Sequence, residues 1–140
     1  MNPVVIDTNC LLQIIARQSP YRPIWDAFIA GQYELCVSNE ILEEYQEILA
    51  QQITPSIAEN IVLLILNKEN VRFVDPHFRM MIITADPDDN KFVDCAFAAG
   101  ADYLVTEDNH FNVLHSTPFP QLNLVTLDEF MRTRIINGNL

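Results

Sequence analysis

Asp7, Glu44, Asp89 and Asp108 lie far apart in the chain, yet each falls where an α/β protein would leave a strand or enter a helix. Asp7 ends the apolar run Pro3-Val4-Val5-Ile6, and Asp108 follows Asp102-Tyr103-Leu104-Val105-Thr106 with one residue between. In open α/β sheets, sites form at the carboxyl ends of strands, where the strand order switches. Acidic side chains from distant segments can meet there. Like charges resist such a meeting: two of them about 4 Å apart repel by roughly 4 kcal/mol at an effective dielectric of 20. The repulsion is relieved by raised pKa values or by a cation. A hard divalent cation held through oxygen ligands is the chemistry this set suggests.

The elements that must position these residues alternate along the chain. Residues 3–7 read as a strand. Residues 9–16 and 21–30 read as helical, with a break near Ser19-Pro20 because the residue before proline is pushed out of the helical region. Tyr33–Val37 reads as a second strand, and Ser38 offers an N-cap for a helix to about residue 51. Thr54-Pro55 opens another helix to about residue 66, with proline at its tolerated first position. Val71–Val74 is a third strand. The stretch 75–88 reads as loop, within which residues 80–84 allow a brief strand. A helix over about 89–99 is closed by Gly100, residues 102–106 form a fourth strand and 122–126 a fifth. Thr126-Leu127-Asp128-Glu129 matches a capping box and starts a short last helix. Such alternation implies a parallel sheet covered on both faces.

Helical geometry chooses among neighbouring acids. Ile41, Leu42, Tyr45, Ile48 and Leu49 form one apolar stripe. At about 100° per residue, Glu44 lies roughly 100° from the centre of that stripe, at its edge, and Glu43 roughly 160° away, towards solvent. In the later helix the stripe is Phe92, Val93, Ala96 and Ala99. Asp89 projects within about 20° of its centre and Asp94 roughly 160° away, which marks Asp94 as a surface residue. Asp86 and Asp88 remain as outer groups. Each acid has an ordinary alternative: Asp7 and Asp89 as N-caps, Glu44 as a solvated charge, Asp108 as a turn residue.

Composition narrows the classes. At 140 residues with 49% hydrophobic content, the chain suits one folded domain. No apolar stretch approaches the roughly 18 residues needed to cross a bilayer, and the opening Met1-Asn2-Pro3-Val4 lacks the basic start of a secretion leader. A cytoplasmic protein without membrane contact is expected. Cys10, Cys36 and Cys95 suit buried thiols rather than disulfides or a zinc site. The net charge of −11 argues against a broad electrostatic grip on nucleic acid, unless bound cations or a second subunit reverse the local potential.

Val4-Val5-Ile6-Asp7-Thr8-Asn9, Ser38 with Glu44 six residues on, Asp86-Pro87-Asp88-Asp89-Asn90-Lys91-Phe92, and Ala96 through Gly100-Ala101-Asp102-Tyr103-Leu104-Val105-Thr106 to Asp108 together resemble the PIN-domain family, most closely toxins of bacterial toxin–antitoxin systems. The resemblance covers nearly the whole chain. It implies a three-layer α/β/α domain with a mainly parallel sheet of about five strands, and Mg²⁺- or Mn²⁺-dependent cleavage of RNA. It places Asp7, Glu44, Asp89 and Asp108 as the family's four acidic residues. It further implies a small antitoxin as partner, and toxins of this group often dimerise. Asp94 stands where many PIN domains carry a small apolar residue.

Supporting roles stay open at this level. Thr8 and Asn9 can hold the Asp7 carboxylate or simply begin the helix, and Thr106 can bond within the site or be an ordinary strand-end residue. His110 can touch a phosphate, although an exposed loop histidine is the plainer reading. Lys91 and Arg17 are candidate phosphate contacts, Trp25 and the phenylalanines are expected in the core, and Arg132 and Arg134 read as solvated charges. Two other functions compete with the nuclease. A phosphotransfer domain of the haloacid dehalogenase type needs a second aspartate two residues after the first, and position 9 is asparagine. A catalytically silent PIN-like binding module would keep the fold without turnover.

Overall fold

Three consecutive β-branched residues, Val4, Val5 and Ile6, are all fully buried, which requires cover on both faces of their strand. The computed structural model describes residues 1–79, 81, 83, 87–116 and 122–138. Its chain order is β1 (Pro3–Ile6), α1 (Thr8–Ile15), α2 (Arg22–Ile29), β2 (Glu34–Val37), α3 (Asn39–Gln52), α4 (Pro55–Asn67), β3 (Val71–Phe73), a 3₁₀ turn at Pro87–Asp89, α5 (Asn90–Ala99), β4 (Tyr103–Val105), a 3₁₀ stretch at Asn109–Ser116, β5 (Leu124–Val125) and α6 (Leu127–Glu129). The single turn of α6 widens to π geometry over Phe130–Ile136. The five strands are all parallel and run β3-β2-β1-β4-β5 across the sheet. Among the described residues no helix is long and apolar enough to cross a membrane.

This order makes β1 the pivot. From β1 the chain steps outwards to β2 and β3, then returns to the other side of β1 for β4 and β5. Right-handed crossovers in opposite directions place the connecting helices on opposite faces, giving the expected α/β/α layering. The order reverses between β1 and β4, so a crevice opens beyond their carboxyl ends.

Local sequence explains most boundaries. Ser38 caps α3 through a hydrogen bond from the Ile41 amide at 3.3 Å, and Thr54 caps α4 from Ile57 at 3.1 Å. Gly100 ends α5 at φ +61°, where a side chain would be strained. The capping box at Thr126 and Glu129 is complete. Tyr45, fully buried in α3, donates its hydroxyl to the Ile6 carbonyl and so ties that helix to the end of β1.

Three readings of the sequence need correction. Asp94 is buried, at 5% exposure, rather than on the surface. A single apolar stripe misjudges α5, because chain preceding the helix also packs on it: Asn90 receives the Ile83 amide at 2.9 Å and donates to the Ile83 carbonyl at 2.8 Å. Asp94, one turn on from Asn90, borders a small hollow with Ser38, Pro76 and Arg79. Second, Phe73 and Phe78 are 52% and 75% exposed, since Phe73 lies on the edge strand and Phe78 on the segment after it. Trp25, Phe28, Phe92, Phe111 and Phe130 are core residues as expected. Third, Arg134 stacks over the Tyr103 ring at 4.8 Å, whereas Arg132 is an exposed charge paired with Asp128. The residues 80, 82 and 84 of the suggested brief strand, and Asp86, lie outside the described residues.

Removing the Tyr45 hydroxyl leaves a buried carbonyl without that donor. Tyr45→Phe should lower stability by about 1–2 kcal/mol in urea unfolding; an unchanged midpoint would show that the bond contributes nothing.

Candidate metal centre

The β1–β4 ladder ends on the pair Ile6–Val105, so the next residues, Asp7 and Thr106, leave the sheet side by side. The Asp7 amide still donates to the Val105 carbonyl at 3.1 Å. Beyond that bond the chain turns into α1, and Asp7 becomes its N-cap, with Oδ1 accepting the Cys10 amide at 2.8 Å. Thr106 donates its hydroxyl to Oδ2 of the same carboxylate. Both Asp7 oxygens are therefore engaged, and the side chain has little freedom. It is also 5% exposed.

Thr106 serves a second group. Its Oγ1 accepts the Asp108 amide at 3.0 Å, which sets the bend after β4. Asp108 Oδ1 in turn accepts the His110 amide at 2.8 Å. That local turn swings the His110 ring back, placing Nδ1 3.3 Å from Asp108 Oδ1 and 3.5 Å from Asp89 Oδ2. Asp89 arrives on the short 3₁₀ turn that leads into α5.

Glu44 comes from the second turn of α3. Its Oε2 accepts the Thr8 hydroxyl, and its Oε1 lies 2.7 Å from Lys91 Nζ. Glu43 faces solvent, as its place on the helix predicts, and Glu44 is half-buried. Thr8 orients Glu44 rather than Asp7, a partnership between residues 36 apart that no local pattern announces.

All four sequence-chosen acids line one cleft of about 230 Å³, with Thr8, Asn9, Ile48, Asp88, Asp89, Phe92 and Asp108 on its walls beside Asp7 and Glu44. Among the described residues, five of the lining side chains are carboxylates and none is a lysine or arginine. Lys91 stands outside it, in an adjoining groove walled by Glu40, Glu43, Glu44, Glu47 and Asp88. Among the described residues, Asp89 and Asp108 in the cleft and His110 beside it each offer one donor atom within 4.8 Å of those of the other two. Asp7 and Glu44 border the same space without joining that trio.

The electrostatics follow from this crowding. Burial is the main cause that raises the Asp7 pKa above its ordinary value, and the nearby Asp108 charge adds to it; the bonds from Thr106 and Cys10 only partly offset them. For Lys91, burial acts against the charge, but the Glu44 hydrogen bond and the attraction of Glu44, Asp88 and Glu40 prevail and raise its pKa. The thiols take no part: burial pushes Cys95 up to about 12 and Cys10 higher still.

A profile of the family described as PIN domain matches residues 3–110, which includes every residue of the cleft. The chain belongs to the PIN-domain family. Solved structures similar to this PIN domain include DNA-bound VapBC from Salmonella typhimurium, at 18% identity and TM-score 0.60, covering 91% of this chain and 99% of that one. VapBC2 from Rickettsia felis, bound to a promoter DNA fragment, is 15% identical at TM-score 0.59, covering 89% and 98%. The RRP44 PIN domain of T. brucei is 14% identical at TM-score 0.52, covering 99% and 84%. These likenesses establish the fold. Among proteins of curated function no match is found.

Some site features escaped the sequence. Asp108 and His110 are two residues apart after a strand, a spacing that allows a side-chain-to-backbone turn, but only the fold adds Asp89 to the pair. Asp88 also lines the cleft, and Asn9 lines it while the bonds to the Asp7 carboxylate come from Cys10 and Thr106.

The raised Asp7 pKa has a defined sign for stability. A folded pKa above the unfolded one gives stability that is complete below the unfolded value and lost as pH rises through the folded value. At neutral pH, well above the unfolded value, Asp7 without a cation therefore opposes folding. Asp7→Asn should melt higher than wild type at pH 7 in a chelator, with the gap closing as the buffer is acidified. A lower melting point at pH 7 would contradict this account of the cleft.

Proposed function

We propose that this PIN domain is a divalent-cation-dependent ribonuclease, the toxin of a toxin–antitoxin pair, with Asp7, Glu44, Asp89 and Asp108 holding the cation. The observation that carries the reading is the single cleft lined by all four residues, drawn from segments 101 residues apart at their extremes (108 − 7). Their chemistry fits the group: hard oxygen donors with no lysine or arginine among the described wall residues, and a buried aspartate whose charge needs compensation. Bound there, Mg²⁺ or Mn²⁺ supplies Lewis acidity towards water and a phosphodiester.

The chain's own residues supply the positioning. Thr106 and the Cys10 amide fix the Asp7 carboxylate in one orientation, and Thr8 fixes Glu44. Ile48 and Phe92 give the cleft an apolar wall. Lys91, 2.7 Å from Glu44, puts a positive charge at the cleft's border, where an RNA phosphate can reach it. With a net charge of −11, local cations of this kind matter more than the field of the whole chain. The fold likeness to the VapBC structures, together with the resemblance of the sequence to toxins, supports a small antitoxin as partner. A cytoplasmic location and homodimerisation accord with the same reading.

One observation favours the second reading, a silent binding module: Lys91 already compensates Glu44. It pairs with Glu44 at one side of the cleft and leaves the desolvation of the buried Asp7 carboxylate to be compensated. The metal-dependent nuclease is the better account.

The test is cleavage of defined RNAs with Mn²⁺, then with excess chelator. Wild type should cut only with the cation, and Asp7→Asn and Asp89→Asn should each lose about 100-fold or more. Full activity in Asp7→Asn would refute the assignment. Thermal stabilisation by Mn²⁺ without any cleavage would point to the silent module.

A further inference from the structure

We propose that His110 is a nitrogen ligand in the cleft, and that it shifts the site's preference from Mg²⁺ towards Mn²⁺ and other first-row transition ions. This rests on the metal-dependent reading above and adds to it a residue and a selectivity. Three observations carry it. The Asp108 carboxylate accepts the His110 amide at 2.8 Å, so the backbone bends to aim the ring at the acids rather than away from them. Nδ1 then lies 3.3 Å from Asp108 Oδ1 and 3.5 Å from Asp89 Oδ2. One donor atom from each of the three residues falls within 4.8 Å of the others.

Those separations can be compared with a metal shell. Adjacent ligands of an octahedral ion at about 2.1 Å are about 3 Å apart, and opposite ones about 4.2 Å. The trio thus needs shifts of well under an ångström at most contacts to share one ion. The ring can make them, because its side chain is 45% exposed at the cleft's edge, while the Asp89 side chain is only 16% exposed. With the proton on Nε2, Nδ1 offers a lone pair to the same space as the two carboxylates. Carboxylate sites suit Mg²⁺, Ca²⁺ and Mn²⁺, whereas imidazole nitrogen favours transition ions and binds Mg²⁺ poorly. A site of two aspartates and one histidine therefore discriminates where an all-carboxylate site would not. The simpler alternative is that His110 only pairs with the two acids and leaves when a cation arrives.

Calorimetric titration of the full chain with Mn²⁺ alone and with Mg²⁺ alone separates these. The Mn²⁺-to-Mg²⁺ affinity ratio of wild type should fall about tenfold or more in His110→Ala. His110→Asp, which supplies a donor but makes it oxygen, should strengthen Mg²⁺ binding without recovering the ratio. Independently of any variant, Mn²⁺ bound to wild type should show ¹⁴N hyperfine coupling in pulsed electron paramagnetic resonance. An unchanged ratio in both variants, or Mn²⁺ bound without nitrogen coupling, overturns the role of His110 and leaves the nuclease reading standing. Failure of wild type to bind either ion overturns both.

Discussion

Parallel pairing of β1 with β4, residues separated by about a hundred positions, governs the rest of the molecule. The register that sets Ile6 against Val105 leaves Asp7 beside Thr106, and the hydroxyl of Thr106 then does two things. It holds one oxygen of Asp7, and it accepts the amide that bends the chain towards Asp108. A slip of one residue in that register would send each of these side chains to the opposite face. The pairing is secured by the apolar strands themselves, since Val4, Val5, Leu104 and Val105 are all buried.

Against this stands an electrostatic cost. Among the described residues five carboxylates line one cleft with no lysine or arginine on its walls, and the most buried of them, Asp7, has a pKa raised by desolvation. A protein whose only requirement was stability would not keep this arrangement, because replacing such a group is commonly neutral or favourable. Strain of this kind is concentrated at functional sites. The local compensations are partial: Lys91 for Glu44, and the His110 ring between Asp89 and Asp108. They mark two halves of the cleft. Asp7 and Glu44 are held by threonine hydroxyls, whereas Asp89 and Asp108 meet at a histidine.

That Asp7, Glu44, Asp89 and Asp108 would border one cleft was legible in advance, because periodicity and strand ends carry the needed information. The edge position of Glu44 on its helix separated it from Glu43, and the N-terminal placement of Asp89 brought it over the sheet's end. The same projection failed for Asp94. A helical wheel weighs only the apolar side, and α5 is also covered by the chain before it, through the paired bonds of Asn90 to Ile83. Phe73 and Phe78 failed for a related reason, since hydrophobicity argues for burial but cannot say which strand forms the sheet's edge.

What the sequence determined alone is short-range: strands where β-branched residues cluster, helices where Ser38, Thr54 and Thr126 cap them, an end at Gly100, three acids at element boundaries and Glu44 on the flank of its helix. Those features depend on contacts within a few residues, so local chemistry decides them. Tertiary structure alone decided that Thr8 serves Glu44 across 36 positions, that Thr106 serves Asp7 across 99, and that His110 stands between two aspartates. Such contacts depend on which strands are neighbours and in what register, and that is settled by packing the whole core.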